Sequence, residues 1–566
     1  MKRKYFNKFT IALITMLSFS ITSCKNAFDV EPEHVLDSEQ MYQNVYDADA
    51  AIIGIYSKLM GVTDRILVLN ELRADLMNVT INANNHLREI NNHQVSLGNP
   101  YADPRPFYDL INNCNDVLAN FKKMRAENKL DDNQFVQRYS DVGALRSWLY
   151  LQLGIHYGNI PYVTVPVESI DDLKDQSQYG PIPFDQLLDS LVQFTEALPW
   201  KDPYPTTATL GGFVDGYNTA KLFVNKKCVL GDIHLWKGNY LQAAKYYKDV
   251  MTYADVLYPT KDSEQWYETY RIGSLTNQLR NERWGRIFSE PYGERDQNLE
   301  NIWMLPYDKN FSPRNPFINL FASGLTTYLL KPSTLAISNW NNQVRADNTP
   351  GDWRAVGSEG RGASYRVNPN GDTVVYKFVS NYNSSLPFET TGKFIMYRAS
   401  KLHLRFSEAA NRNGRTKLAH ALVNSGINYH FDDNPSGGNN RNVSNTQQTF
   451  DVPPYDFDAR NGNFPVFRNT WYRNTGIRGR VNLTRRDAAL ETNMLGMEDA
   501  IIDEAALELA FEGNRWDDLL RISLRRGDMS FLANKVQEKF IKAGRVSEGA
   551  AVRARILANP YLPFKW

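Results

Sequence analysis

The sequence predicts a mainly α-helical protein: a scaffold of paired helices carrying long, irregular, aromatic-rich stretches with short strands. Three observations lead there. Apolar residues recur at helical spacing toward both ends of the chain; that spacing fades between about residues 257 and 398; and two segments place Gly and Ala as a tetratricopeptide helix pair does.

From Met41 to Leu59 the apolar positions Val45, Ala48, Ile52, Ile55 and Leu59 mark a first helix. A second follows Pro106, through Tyr108, Ile111, Val117 and Leu118. Residues 141–157 are apolar almost all round, which is the pattern of a buried helix, and Gly158-Asn159-Ile160-Pro161 ends it. Pro181–Leu198, Asn218–Gly238 and Leu241–Leu257 supply three more. Then come Trp266, Trp284, Trp303, Trp340 and Trp353 among many Asn and Gly, with strand-like runs such as Asp372–Val379. Helical spacing returns over Met396–Asn413 and Thr416–Tyr429. A Gly/Asn/Pro loop, Asp432–Arg441, opens a second irregular region reaching about Leu490, and the final strong helix is Asp499–Leu524.

Composition narrows the function. With 566 residues, 42% hydrophobic and 22% charged, wholesale disorder and collagen-like repetition are excluded. Sixty-four Lys+Arg against 63 Asp+Glu leave no basic excess, so a nucleic-acid partner is not expected. Aromatics reach 12%, and flat rings beside amide side chains suit carbohydrate or peptide recognition.

Lys2, Arg3, Lys4 and Lys8 precede an apolar run from Ile11 to Ile21. That run is short of the roughly 20 residues a membrane span needs, so it reads as a signal peptide. It ends Ile21-Thr22-Ser23-Cys24, which resembles the bacterial lipobox and makes Cys24 the expected lipidation site. Loss of residues 1–23 removes four basic and no acidic residues, leaving 60 against 63 and a net charge of −3. More than one acyl chain gives a stable anchor, so the mature protein is expected to be membrane-bound by lipid. Cys114 and Cys228 fall in helical stretches, and from sequence they either pair or remain free.

The repeat signal lies in Gly231 with His234, then Gly238, Tyr240, Ala243 and Tyr247; Gly414, Ala419 and Val423 repeat its later half. Small residues there let two helix backbones approach. No fixed period runs along the chain.

Five segments together resemble the SusD/RagB family of outer-membrane nutrient-binding lipoproteins of Bacteroidota. They are FDVEPEHVLDSEQMYQNVYDADAAIIGIYSKL, ALRSWLYLQLGIHYGNIPYVTVPV, TAKLFVNKKCVLGDIHLWKGNYLQAAKYYKDVM, FIMYRASKLHLRFSEAANRNG and DEAALELAFEGNRWDDLLR. They run from Phe28 to Arg521 in the family's order. Asp503-Glu504 stands where the family has Glu-Arg, and Arg398-Ala399-Ser400 where it has Arg-Tyr-Ala, both at scaffold positions. The resemblance implies four tetratricopeptide-like helix pairs with an irregular half carrying ligand contacts. It also implies a partner, a SusC-like TonB-dependent transporter that this lipoprotein caps as a lid at the outer membrane. On this reading the chain divides into a signal peptide (1–23), a tether (24–40), an N-terminal helical region (41–260), an irregular ligand-binding region (261–392) and a C-terminal helical region (393–566) with a loop insert at 431–490.

No catalytic residue is assigned. His-Glu-x-x-His, Gly-x-Ser-x-Gly and phosphate-type Gly loops are missing. The eight histidines (34, 86, 93, 156, 234, 403, 420, 430) show no tight metal spacing, and His156, His234 and His403 read as core residues. Asp432-x-Asn434-x-Ser436-Gly437 begins like a calcium loop but has Val443 at its twelfth position, so no metal or cofactor is expected. Glu508, Glu512, Asp517 and Asp518 stand at helical spacing to Arg515 and Arg521, which favours ion pairs over acid/base work.

Binding remains. A sugar presents an apolar C–H face to a ring and a hydroxyl edge to Asn, Asp or Arg. The family places such contacts in its irregular middle and in a loop after the first helices. The corresponding candidates are Tyr328, Trp340, Asn341, Arg345 and Trp353, with Asn78 and Arg88 from the loop; Asp352-Trp353-Arg354 also reads as a structural Asp-x-Arg element. The expected ligand is an oligosaccharide, with a peptide as the alternative and a lipid-anchored glycoside hydrolase or a protein-scaffolding lipoprotein as other classes.

Overall fold

The computed structural model describes residues 41–565 except 170–171, 173, 175–178, 215–216, 253–283, 286, 290–299, 323–326, 356–363, 433–445, 461–468, 470 and 472–473. The signal peptide, Cys24, the tether, Trp266 and the body of the calcium-like loop lie outside the described residues.

The helices of eight residues or more are α1 (Val45–Met60), α2 (Arg105–Ala126), α3 (Asp132–Tyr157), α4 (Phe184–Glu196), α5 (Lys226–Lys237), α6 (Tyr240–Thr252), α7 (Thr334–Asn341), α8 (Ala399–Arg412), α9 (Thr416–Val423), α10 (Met494–Glu508), α11 (Arg515–Arg526), α12 (Ser530–Lys542) and α13 (Val546–Ala558). Strands of three residues or more are β1 (Met77–Val79), β2 (Asn301–Tyr307), β3 (Leu330–Pro332), β4 (Tyr365–Val367), β5 (Thr373–Val375) and β6 (Gly392–Arg398). The fold is mainly α, as the spacing predicts.

Four pairs of sequence-adjacent helices pack closely: α2 with α3, α5 with α6, α8 with α9, and α12 with α13. The C-terminal two thirds of α3 is buried at every position from Ser140 to Tyr157, and Gly158 ends it at φ +72°. Its start is fixed by a reciprocal cap between Asp131 and Gln134. In the second pair, Gly238 terminates α5 in the left-handed conformation, and Ala243 and Tyr247 of α6 are fully buried. Gly414, at φ +80°, makes the matching turn between α8 and α9. His156, His234 and His403 are all buried core residues. Cys114 and Cys228 are buried and free.

The expected helix over 499–524 is two helices. Phe511 (φ +72°) and Gly513 (φ +80°) break it, and the Glu71 carboxylate accepts the backbone N–H groups of Phe511, Gly513 and Asn514 at 3.1, 2.8 and 2.9 Å. The freed donors at the start of α11 are thus satisfied from a residue distant in sequence. The fourth helix pair, beyond that point, is an addition to the elements read from spacing.

The strands form antiparallel two-stranded ribbons. β2 pairs β6, β1 pairs β3 with Asn78 opposite Lys331, and β4 pairs β5 with Arg366 opposite Val374. The strand-like run at Asp372–Val379 is realised over Thr373–Val375. One hydrophobic core joins both halves, including Ile52, Leu149, Trp340, Phe394 and Leu520.

Candidate ligand-binding site

Among the described residues a cleft of about 300 Å³ opens in the irregular half, lined by Phe321, Tyr328, Arg366, Asn368, Val374, Tyr382, Asn383 and Ser384 among others. Its floor is the β4–β5 ribbon. Side chains alternate along a strand, so Tyr365 turns into the core while Arg366 and its cross-strand partner Val374 face the cleft together. Arg366 Nε donates to Asn368 Oδ1 at 3.2 Å, and its guanidinium lies 5.4 Å from the Tyr376 ring. Tyr328 forms one wall. Burial, and then the charge of Asp372, hold its phenol above the ordinary value, so it stays a neutral hydroxyl. Tyr382 follows a turn closed by its own N–H to Val379 O, and Asn383 and Ser384 continue as an exposed polar rim. The cleft thus offers the half-exposed ring of Tyr382, the edge of Tyr328, one guanidinium, two amides and the Ser384 hydroxyl: apolar area for a C–H face and polar groups for an edge.

The sequence candidates separate into two groups. Asn78 and Arg88 sit behind Tyr328. Thr80, on the same loop, donates from its hydroxyl to Tyr328 O at 2.6 Å, and Arg88 holds that loop by donating to the carbonyls of Thr80, Ile81 and Ala83. Asn78 Oδ1 accepts from Val79 N and from Arg545. The structure therefore joins this loop to Tyr328 through the scaffold. Trp340, Asn341, Arg345 and Trp353 lie elsewhere. Trp340 has no exposed surface, donates to Leu507 O at 3.1 Å and stacks on Tyr365. Asn341 is exposed at the end of α7. Arg345 donates to the carbonyls of Thr349 and Pro350 and covers the Trp353 ring at 3.9 Å. Of the sequence candidates, only Tyr328 lines the cleft.

Arg366, Asn368, Tyr382, Asn383 and Ser384 were outside the sequence candidates. Their signal was present, since Asn368 and the Asn381-Tyr382-Asn383 run combine amides with a ring, but nothing in the spacing brings the two loops together.

The carboxylates of the fifth segment are structural. Asp352 and Arg354 form the expected Asp-x-Arg pair, with Arg354 Nη2 2.6 Å from Asp352 Oδ2. Arg354 also reaches Glu504 and Glu508 at 2.8 and 2.9 Å. Arg398 bonds Glu300, Glu508 and Glu512, Lys377 bonds Glu512, and Arg480 bonds Glu508. Asp517 and Asp518 pair with Arg521 at helical spacing, as expected, but Arg515 pairs with Asp75 rather than with Glu508 or Glu512. Burial pushes Glu504 up, yet Arg354, Arg478 and Arg486 hold it down to about 2, so it stays charged.

Fold and cleft together define a helix-pair scaffold with a cleft opening in its irregular half. The SusD family model matches residues 472–555, and the chain carries the SusD fold. A SusD superfamily protein from Bacteroides vulgatus superposes with a TM-score of 0.59 at 14% identity, over 90% of this chain and 92% of that one. A SusD-like carbohydrate binding protein from Bacteroides fragilis gives 0.54 at 13%, over 87% and 88%. Surface glycan-binding protein A from Bacteroides uniformis gives 0.52 at 15%, over 87% and 91%. A comparison with curated proteins finds no match. No helix among the described residues is long and apolar enough to cross a membrane.

Proposed function

We propose that this chain is a non-enzymatic, lipid-anchored surface protein of the outer membrane that binds a glycan oligomer in the Tyr328–Tyr382 cleft. It then hands that ligand to a TonB-dependent transporter, which it covers as a lid. The observation that carries the reading is the cleft's lining: Tyr382, half-buried at the rim, supplies ring area with the edge of Tyr328, while Arg366, Asn368, Asn383 and Ser384 supply donors and acceptors beside it. A sugar needs both at once, because an unpaired hydroxyl edge forfeits its hydrogen bonds to water. The SusD fold and the glycan-binding solved relatives support the same class of ligand. The leader ending in Cys24 supports the anchor, and the near-neutral mature chain gives no case for a polyanion.

The test is a titration of the purified mature chain against a panel of oligosaccharides and oligopeptides by calorimetry, with Arg366→Ala alongside. Saturable glycan binding lost in Arg366→Ala is the expected result; peptide binding alone, or new reducing ends from a polysaccharide, would overturn it. Isolation of the lipidated protein from mild detergent tests the partner, the expected companion being a large β-barrel at equal stoichiometry.

A further inference from the structure

A second site stands away from the cleft, between α9, the short helix Ile427–His430 and the 3-10 turn Ala488–Thr492. His420, on α9, points Nδ1 toward Glu491 Oε1 at 3.4 Å, and His430 points Nδ1 to the same oxygen at 2.9 Å. All three potential ligand atoms lie within 4.8 Å of one another. The imidazole rings meet edge to face with centroids 4.7 Å apart. His420 is completely buried, and its Nδ1 has no hydrogen-bond partner despite the nearby carboxylate; His430 Nε2 is likewise unpartnered. Asn424 Nδ2 faces His420 Nε2 at 3.4 Å, too long to fix the ring's tautomer.

We propose that His420, His430 and Glu491 form a three-ligand site for a transition-metal dication of the Zn²⁺ class. The chemistry of the set is the first argument: two imidazoles and one carboxylate are borderline ligands of the kind zinc takes, and three protein ligands leave a fourth position for water. The second is distance. Ligands held about 2.0–2.1 Å from a tetrahedral zinc stand about 3.3 Å from each other, close to the two Nδ1–Oε1 separations here. The third is burial: His420 has no exposed surface, and its Nδ1 is held 3.4 Å from Glu491 Oε1 with no hydrogen bond of good geometry to occupy it. The Glu491 side chain keeps 22% of its surface exposed, which gives the ion an entry side. Arg485, stacked on Tyr429, is the neighbouring cation that opposes a dication and moderates the affinity. A bound ion would clamp the third helix pair to the turn that starts α10.

The experiment uses the full mature chain, stripped with a chelator and titrated with Zn²⁺ while stability and stoichiometry are followed. One Zn²⁺ per chain is expected, with a rise of several degrees in Tm that the chelator reverses. Co²⁺ in its place is expected to show the visible bands of a four-coordinate ion. His430→Asn and Glu491→Gln each remove the binding and the Tm rise, whereas His86→Asn, on a separate helix, leaves both intact. Two variants guard against a folding failure in one. Zn²⁺ stoichiometry unchanged in both variants, or no chelator-sensitive Tm, would sink the site and leave an ordinary His–Glu contact.

Discussion

Gly231 of α5 lies so close to Tyr247 of α6 that a methyl group on it would stand 2.3 Å from the tyrosine ring. The ring is not free to retreat, because its hydroxyl donates to Asp232 at 2.7 Å and the residue is fully buried. Gly231→Ala is therefore expected to destabilise the chain by about 1–3 kcal/mol through overpacking. The denaturant midpoint should fall with the slope unchanged. A neutral result would mean that the two helices separate at no cost.

Glu508 gathers three arginines, Arg354, Arg398 and Arg480, from three separate stretches of the chain onto α10. Removing its charge strands buried guanidinium groups, so Glu508→Ala is expected to cost about 3–5 kcal/mol or more. Glu508→Gln keeps the volume and tests charge alone; its melting transition should also fall. If Glu508 were instead a general acid, the variant would fold normally and lose only activity.

The buried histidines set a pH dependence. Burial takes His403 down to about 3, where it packs against Trp471. The unfolded chain therefore takes up a proton near the ordinary histidine value of about 6.5 while the folded chain does not. Stability contributed by this site is intact above pH 6.5 and drains away as pH falls toward 3. The loss is on the order of 1.4 kcal/mol per pH unit across that window. His403→Gln should flatten the slope of unfolding free energy between pH 6.5 and 4.5, measured by denaturant titration at each pH. An unchanged slope would place the titration elsewhere.

Local pattern made the helix pairs legible. Gly231, Ala243 and Tyr247 carry their contact in their spacing, and the all-apolar face of residues 141–157 carries its burial. The break between α10 and α11 was not legible, because its cause is Glu71, whose carboxylate arrives from far along the chain. The cleft was half legible for the same reason. Tyr328 stands in the stretch expected to bind, but Arg366 and Tyr382 join it only through the β4–β5 ribbon and a turn after it. Trp340 misled because a tryptophan's ring area serves a core and a sugar platform equally well; here Tyr365 and Leu507 take it.

That contrast gives the sharpest test of the cleft. Tyr382 is half-buried at the rim and Arg366 is partly exposed on the floor, while Trp340 is wholly enclosed. Tyr382→Ala removes one ring face, and stacking of this kind is worth roughly 1–2 kcal/mol, or about a tenfold loss of affinity for an oligosaccharide. Its melting temperature should hardly move, since only part of the ring contacts the core. Trp340→Ala should do the opposite: it opens a large cavity, costs about 3–5 kcal/mol of stability, and leaves the affinity of whatever remains folded close to that of the parent. Calorimetric titration beside a thermal melt reads both quantities on the same samples. Should Trp340→Ala lose affinity with stability intact while Tyr382→Ala does neither, the ligand sits near α7 and not in the Tyr328–Tyr382 cleft.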